Sequence, residues 1–241
     1  MATVKAQTMT RGTMICIDSC DGGGSTTQRD RLAATLTARG VDTYSTAQPS
    51  TGPIGRLIRD VLLRRVAEPM DPSAFQRLFV ADRVDHLASV VEPTRARGCT
   101  VVCDRGELST VIYHAAGATT NHDEAARIAE AFDWHRGIAI PTLTIVLAVP
   151  DHIAAARRLS RGGPRELFDV ASFQDRVSRL YCDAEELVRN DRRVRYLAEN
   201  RTATASLVVL DGTGTIDDVA ARVLTCVDSR IDLTGSTQLN T

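Results

Sequence analysis

Apolar runs alternate with amphipathic stretches along the chain, the pattern of a parallel sheet flanked by helices. Met14 to Ile17 predicts a short buried strand, followed at once by Asp, Ser and Gly punctuation. Thr26 to Arg39 predicts a helix closed by Gly40, and residues 41–45 a weaker second strand. From Gly55 to Val66, Leu57, Ile58, Val61 and Leu62 recur at helical spacing. One long helix is expected over Ser73–Arg97, with Leu78, Ala81, Leu87 and Val91 inward. Thr100 to Cys103 is a strand ending in Asp104-Arg105, residues 122–135 a helix, and Leu143 to Val149 a strand. A basic stretch at 157–169, RRLSRGGPRELFD, then breaks the pattern. Helix is expected again from Phe173 to about Leu197, strand over Ser206–Leu210 and helix over 216–227. Five strands with intervening helices make an α/β fold: a five-stranded parallel sheet in three layers. No repeat or linker divides it, so one domain is expected over 12–229, with 1–11 and 230–241 as disordered ends.

Composition narrows the function more than the fold. The 241 residues suit one α/β domain, and a formal net charge of −1 gives no global reason to expect nucleic-acid binding or an acidic membrane surface. No run reaches the length of a membrane span, and the opening MATVKAQTMTRG lacks an apolar signal core. The six cysteines, including Cys16/Cys20 and Cys99/Cys103, lack zinc-site spacing and read as buried and reduced, which points to the cytoplasm. The five histidines show no metal or triad spacing and are given no chemistry.

Candidate chemistry begins between the first strand and first helix, at Ile17-Asp-Ser-Cys-Asp-Gly-Gly-Gly-Ser-Thr-Thr-Gln28. A P-loop belongs in that context: consecutive glycines let backbone N–H groups turn towards phosphate oxygens, and the helix N-terminus adds its dipole. A capped glycine turn is the plainer alternative. Against G-x-x-x-x-G-K-[ST], Ser19 replaces the first glycine and Ser25 replaces the lysine. Thr26 sits where a hydroxyl would ligate Mg²⁺.

Further segments follow in an order that resembles the thymidylate kinase family of P-loop nucleoside-monophosphate kinases. D-S-C-D-G-G-G-S-T-T-Q stands for E-G-x-D-G-x-G-K-[ST]-T-Q. Gln48-Pro49-Ser50-Thr51-Gly52-Pro53-Ile54-Gly55 resembles the E-P-[TG]…P-I-G loop. Phe79, Ala81, Asp82, Arg83 and His86 match F-x-A-D-R-x-x-H, and Asp104, Arg105, Gly106, Ser109, Ile112 and Tyr113 stand for D-R-[aromatic]-x-x-S-x-x-A-Y. The resemblance covers roughly residues 13–228. It implies ATP-dependent phosphorylation of a deoxynucleoside monophosphate, dTMP first among them, with Mg²⁺ and as a homodimer.

The same resemblance assigns roles. Asp21, Gly22, Gly23, Gly24, Ser25, Thr26 and Thr27 would cradle the ATP phosphates, with Thr26 and Asp104 serving Mg²⁺. Asp18, Gln48, Pro49, Phe79, Arg83, Arg105, Ser109, Thr110 and Tyr113 would hold the acceptor: Phe79 stacking on the base, Arg83 bonding its edge, Tyr113 crowding the sugar 2′ position. Asp21, Arg105 and the lid arginines Arg161 and Arg165 would be catalytic. Gly106, His114 and Gln48 depart from the family pattern and leave the acceptor base open. Two rivals stand beside this reading: a kinase for another or modified nucleotide, and a nucleotide-binding pseudokinase that has lost its lysine.

Overall fold

A computed structural model describes residues 11–162, 164, 166–190 and 206–233. Five strands, β1 (Met14–Ser19), β2 (Thr43–Ala47), β3 (Thr100–Asp104), β4 (Leu143–Ala148) and β5 (Ser206–Asp211), form one parallel sheet in the order β2-β3-β1-β4-β5. Successive side chains of a strand face opposite layers. Ile15, Ile17, Val102, Ile145 and Leu147 therefore join α1 (Ser25–Ala38) and the last helix in one core. Val146 faces the other side, with α5 (Glu107–Ala116) and α8 (Ala171–Cys182). Met14, Val101 and Cys103 pack on Leu87 and Val91 of the chain that follows α3 (Pro72–His86).

The remaining helices are α2 (Pro53–Leu62), α4 (Glu92–Ala96), α6 (Asn121–Trp134), α7 (Asp151–Arg161), α9 (Ala184–Asn190) and α10 (Ile216–Asp228). The expected single helix over 73–97 is interrupted: α3 passes through a π turn at Leu87–Val91 before α4. Pro93 explains the break, since it has no N–H to continue the ladder. Leu87 and Val91 point inward as expected, but Ala81 is exposed and Leu78 half-buried. The inward side instead carries Phe75, Gln76, Asp82, Arg83 and His86. In α2 likewise Ile58 is buried whereas Leu57 is 41% exposed.

Helix α5 had no counterpart in the hydrophobic pattern. Eight of its residues, from Leu108 and Thr110 through Ala116, are buried, so no polar stripe marks its period. The helix expected from Phe173 divides at Asp183 into α8 and α9, and 191–197 lie outside the described residues. Ile231 and Leu233, in the stretch read as a disordered tail, rest against the core. Five cysteines are buried and Cys182 is exposed; all six are free thiols. No described helix is long and apolar enough to cross a membrane.

Candidate functional site

The C-terminal ends of β1 and β3 meet at the sheet edge where open α/β folds bind ligands. A cavity of about 1270 Å³ opens there, larger than a single small-molecule pocket needs. Its floor is the loop after β1. Gly22 (φ 84°) and Gly24 (φ 96°) adopt the left-handed conformation that turns N–H groups inward, and Gly24 caps α1. A Cβ on Gly22 would lie 2.4 Å from the Ala154 carbonyl oxygen, so the loop also sits tight against α7. Asp21, Gly22, Gly23, Gly24, Ser25, Thr26 and Thr27 all line the cavity. Ser25 is only 5% exposed there. Its hydroxyl offers a dipole where a lysine would offer a charge.

Thr26 Oγ1 donates to Asp104 Oδ2 at 2.5 Å, while Asp104 Oδ1 is buried without a hydrogen-bond partner. An orphaned carboxylate oxygen beside a hydroxyl at a helix N-terminus fits Mg²⁺, a cation that takes one or two carboxylates and completes its shell with phosphate and water oxygens. Among the described residues no cluster of three or more His, Cys, Asp or Glu could hold a metal by itself.

Arg105 follows with φ 68°, a backbone conformation rare for a non-glycine residue. Its guanidinium pairs with Asp21 and donates to Ser109 Oγ at 3.0 Å and to the Tyr113 and Tyr181 hydroxyls at 3.4 Å. Burial alone would lower its pKa, but Tyr113, Asp21 and Tyr181 hold it well above the ordinary value. It is a permanent cation at the cavity wall. Burial pushes the Tyr113 phenol well up, so that ring stays neutral.

Asp18 has a different place from the one expected. It is fully buried, with Ser109 Oγ and Tyr181 OH donating to Oδ1 at 2.6 Å and Gly106 N–H to Oδ2 at 3.0 Å. Asp18 is outside the cavity lining, and through Ser109 and Tyr181, which also accept from Arg105, it braces the wall from behind rather than meeting a ligand. Its shorter arm, in place of glutamate, suits that retreat.

On the far side Gln48, Pro49, Phe79, Arg83, Thr110 and Tyr113 line the same cavity. Arg83 is 5% exposed. Nε donates to Gln48 Oε1 (2.8 Å), Nη2 to the Gly106 carbonyl (2.6 Å), Nη1 to His135 Nε2, and both terminal nitrogens reach Thr110 Oγ1 at 3.3 Å. Burial lowers its pKa. Neighbouring residues on α3 fix the loop that carries Gln48: Asp82 accepts from Ser50 N (2.7 Å) and Ser50 Oγ (2.6 Å), and His86 contacts Thr46 (2.9 Å) and Gln48 (3.3 Å).

The lid stretch resolves into two parts. Arg157, Arg158 and Arg161 end α7. Arg158 is already engaged, donating to the Asp21 carbonyl (2.6 Å) and to Asp151 (2.9 Å), and Arg157 reaches the Gly212 carbonyl. Arg161 is exposed at the cavity mouth and makes no hydrogen bond or ion pair among the described residues. Arg165 lies outside the described residues. The chain returns through Leu167, whose N–H bonds the Leu62 carbonyl at 2.8 Å, and Phe168, which stacks on Phe173 and nears Tyr113 at 5.3 Å. Gln174 ties Phe168 to the floor, donating to Asp21 Oδ2 and the Phe168 carbonyl at 3.0 Å.

Sequence reasoning missed Asp82, His86, His135 and Gln174. Asp82 and His86 stood in a quoted motif. Gln174 and His135 carried no local signal.

The family model for thymidylate kinase matches residues 17–218. The thymidylate kinase of Caulobacter vibrioides is 32% identical over 226 residues, 93% of this chain and all of that one. That of Alkalilimnicola ehrlichii is 33% identical over 205 residues, 84% and 92% of the two chains. Among solved structures, thymidylate kinase from Candida albicans superposes with a TM-score of 0.69 at 21% identity, covering 96% of each chain, a likeness of fold.

Proposed function

The chain belongs to the thymidylate kinase family of nucleoside-monophosphate kinases, and on that premise we propose that it transfers the ATP γ-phosphoryl group to dTMP. One observation carries the reading: the glycine-rich loop and the Arg105–Tyr113 pair line a single cavity, joined by the ion pair between Asp21 of that loop and Arg105. Phosphoryl transfer asks a protein for positioning and charge stabilisation more than for covalent chemistry, and this arrangement offers both.

The N–H groups of residues 22–27 hold the donor phosphates, and Asp104 with Thr26 would hold Mg²⁺, which neutralises phosphate charge when bound. Arg105, kept cationic and pinned by Asp21, presents its fork to the acceptor phosphate. Phe79 offers a stacking face for the base. Tyr113 stands at the sugar, its hydroxyl turned to Arg105. Arg161 and Arg165 bring positive charge from the lid.

Thr110 supports a 4-oxo base. Arg83 can only donate, so Thr110 Oγ1 accepts from it and keeps its own hydrogen to give. A thymine carbonyl accepts there, whereas a cytosine amino group would meet donors. The two long Arg83–Thr110 contacts are the ones such a carbonyl would share. We also place a homodimer in the proposal, for which the outer side of α3, with Val84 49% exposed, offers an apolar surface.

The test is ADP release with ATP, Mg²⁺ and each nucleoside monophosphate in turn, beside calorimetric binding of the same ligands. Turnover that is best with dTMP is the expected result. Ser25 favours one other reading, a nucleotide-binding pseudokinase; tight dTMP binding without turnover would select it. Neither binding nor turnover with any nucleotide would overturn the site.

A further inference from the structure

The N–H groups of Arg83 meet only neutral acceptors. Gln48, the Gly106 carbonyl and a nitrogen of His135 take one each, and Thr110 Oγ1 takes two long contacts at 3.3 Å, the ones a base carbonyl would share. His135 comes from the end of α6 and is 4% exposed, outside the cavity lining. Its Nδ1 lies 2.7 Å from the Ala131 carbonyl, which can only accept, so Nδ1 bears the hydrogen. Nε2 is then a lone pair, and Arg83 donates to it.

Resting on the nucleotide reading above, we infer that His135 is a positioning residue for base recognition: as the neutral Nδ1–H tautomer it fixes the Arg83 guanidinium against Thr110 and so sets which base edge the pocket accepts. A carboxylate in this place would also hold Arg83, but would cancel its charge. A neutral imidazole fixes the fork while leaving the cation to act on a base carbonyl. Protonated, His135 would have no acceptor left and would set a second cation against the first. Arg83 from α3 is the charged group in contact with the ring; its own helix contributes the Ala131 carbonyl, and Glu107 and Asp18 act on Arg83 from beyond it. Burial and Arg83 push the ring pKa down to about 3, in agreement with the neutral form the geometry requires.

The test compares His135→Leu, which has no acceptor, with His135→Gln, whose amide oxygen can accept. Losing a hydrogen bond from a charged group weakens binding by roughly 10- to 100-fold. His135→Leu should therefore weaken dTMP binding and raise its KM by that factor, with ATP affinity and kcat at saturation nearly unchanged. It should also narrow the preference for dTMP over dCMP. His135→Gln should recover most of the loss. Equal weakening of dTMP and ATP with a lowered Tm, or no rescue by Gln, would reduce His135 to a packing residue and overturn the inference. Ring-nitrogen NMR of the wild-type protein decides it without any ligand: a neutral Nδ1–H ring down to about pH 5 supports it, and an Nε2–H ring or titration near 6.5 overturns it. Failure of wild-type dTMP binding would overturn the nucleotide reading instead, and the NMR result would still stand on its own.

Discussion

Returning a lysine to position 25 perturbs the site where it departs most from the P-loop pattern. Ser25 opens α1 directly after Gly24, 5% exposed on the cavity floor. A lysine there would carry its ammonium over the phosphates that the loop amides hold. At about 4 Å and an effective dielectric near 20, one such charge pair is worth about 4 kcal/mol. That agrees with the ~3–4 kcal/mol typically lost when one preorganised donor to a developing charge is removed. Nearby cations do not substitute for it in place: Arg158 is committed to Asp21 and Asp151, and Arg161 sits exposed at the mouth. Ser25→Lys should thus raise kcat by roughly 10²- to 10³-fold, with the KM for dTMP little changed. The assay is ADP release at saturating ATP and dTMP, with calorimetry to confirm that both bind wild type and variant. A gain below about fivefold with both ligands bound would refute the argument, and would mean that this site never depended on a loop cation.

Asp18→Asn turns an acceptor that serves three donors into one that also bears hydrogens. It should cost about 3 kcal/mol, seen as a Tm fall of roughly 6–12 °C; a fall under 2 °C would contradict the bracing role. Asp104→Asn should raise the Mg²⁺ concentration for half-maximal activity at least about tenfold, and chelation of the metal should abolish turnover; an unchanged Mg²⁺ dependence would remove Asp104 from the metal site. His135 makes acid stability diagnostic. Its folded pKa of about 3 lies below the ordinary 6.5, so the unfolded chain binds the extra proton. The stability this contributes is complete above about pH 6.5 and is lost as pH falls towards 3, by up to about 1.4 kcal/mol per unit. His135→Gln should lose less stability than wild type between about pH 7 and 4, and parallel curves would refute it.

What the sequence disclosed follows a physical division. Strands β1, β3 and β4 are buried on both faces and stand out as apolar runs, and the end of β1 with the Gly22–Gly24 turn marks where the cavity floor lies. Asp104, Arg105, Ser109 and Tyr113 were legible because they lie close in sequence, from a strand end into the next helix. Helix α5 itself was not, since a helix buried on every side has no periodic contrast to show. Helix α3 misled in the opposite sense. Beside Phe75 its inward positions are Gln76, Asp82, Arg83 and His86, the last three polar because they grip the Gln48 loop, and the apolar residues Ala81 and Val84 were left outside.

Asp18 and His135 show what spacing alone withholds. Asp18 sits one strand position before the loop and carries the same acid group as a ligand-binding residue would. Only the arrival of Ser109 from α5 and Tyr181 from α8, 91 and 163 positions away, turns it into a brace. His135 is separated from Arg83 by 52 positions, and its one local bond, to the Ala131 carbonyl, is an ordinary helix-end contact. His135 bonds Arg83, and Asp18 bonds Ser109 and Tyr181, which accept from Arg105; neither residue lines the cavity itself. Asp18 stood in a motif without showing its bracing role, and His135 leaves no motif, because its requirement is for one acceptor atom at one place, which any of several residue types from any element could supply. The residues that line the cavity are therefore its readable part, whereas Asp18 and His135, which stand behind that lining, become visible only when the chain is folded.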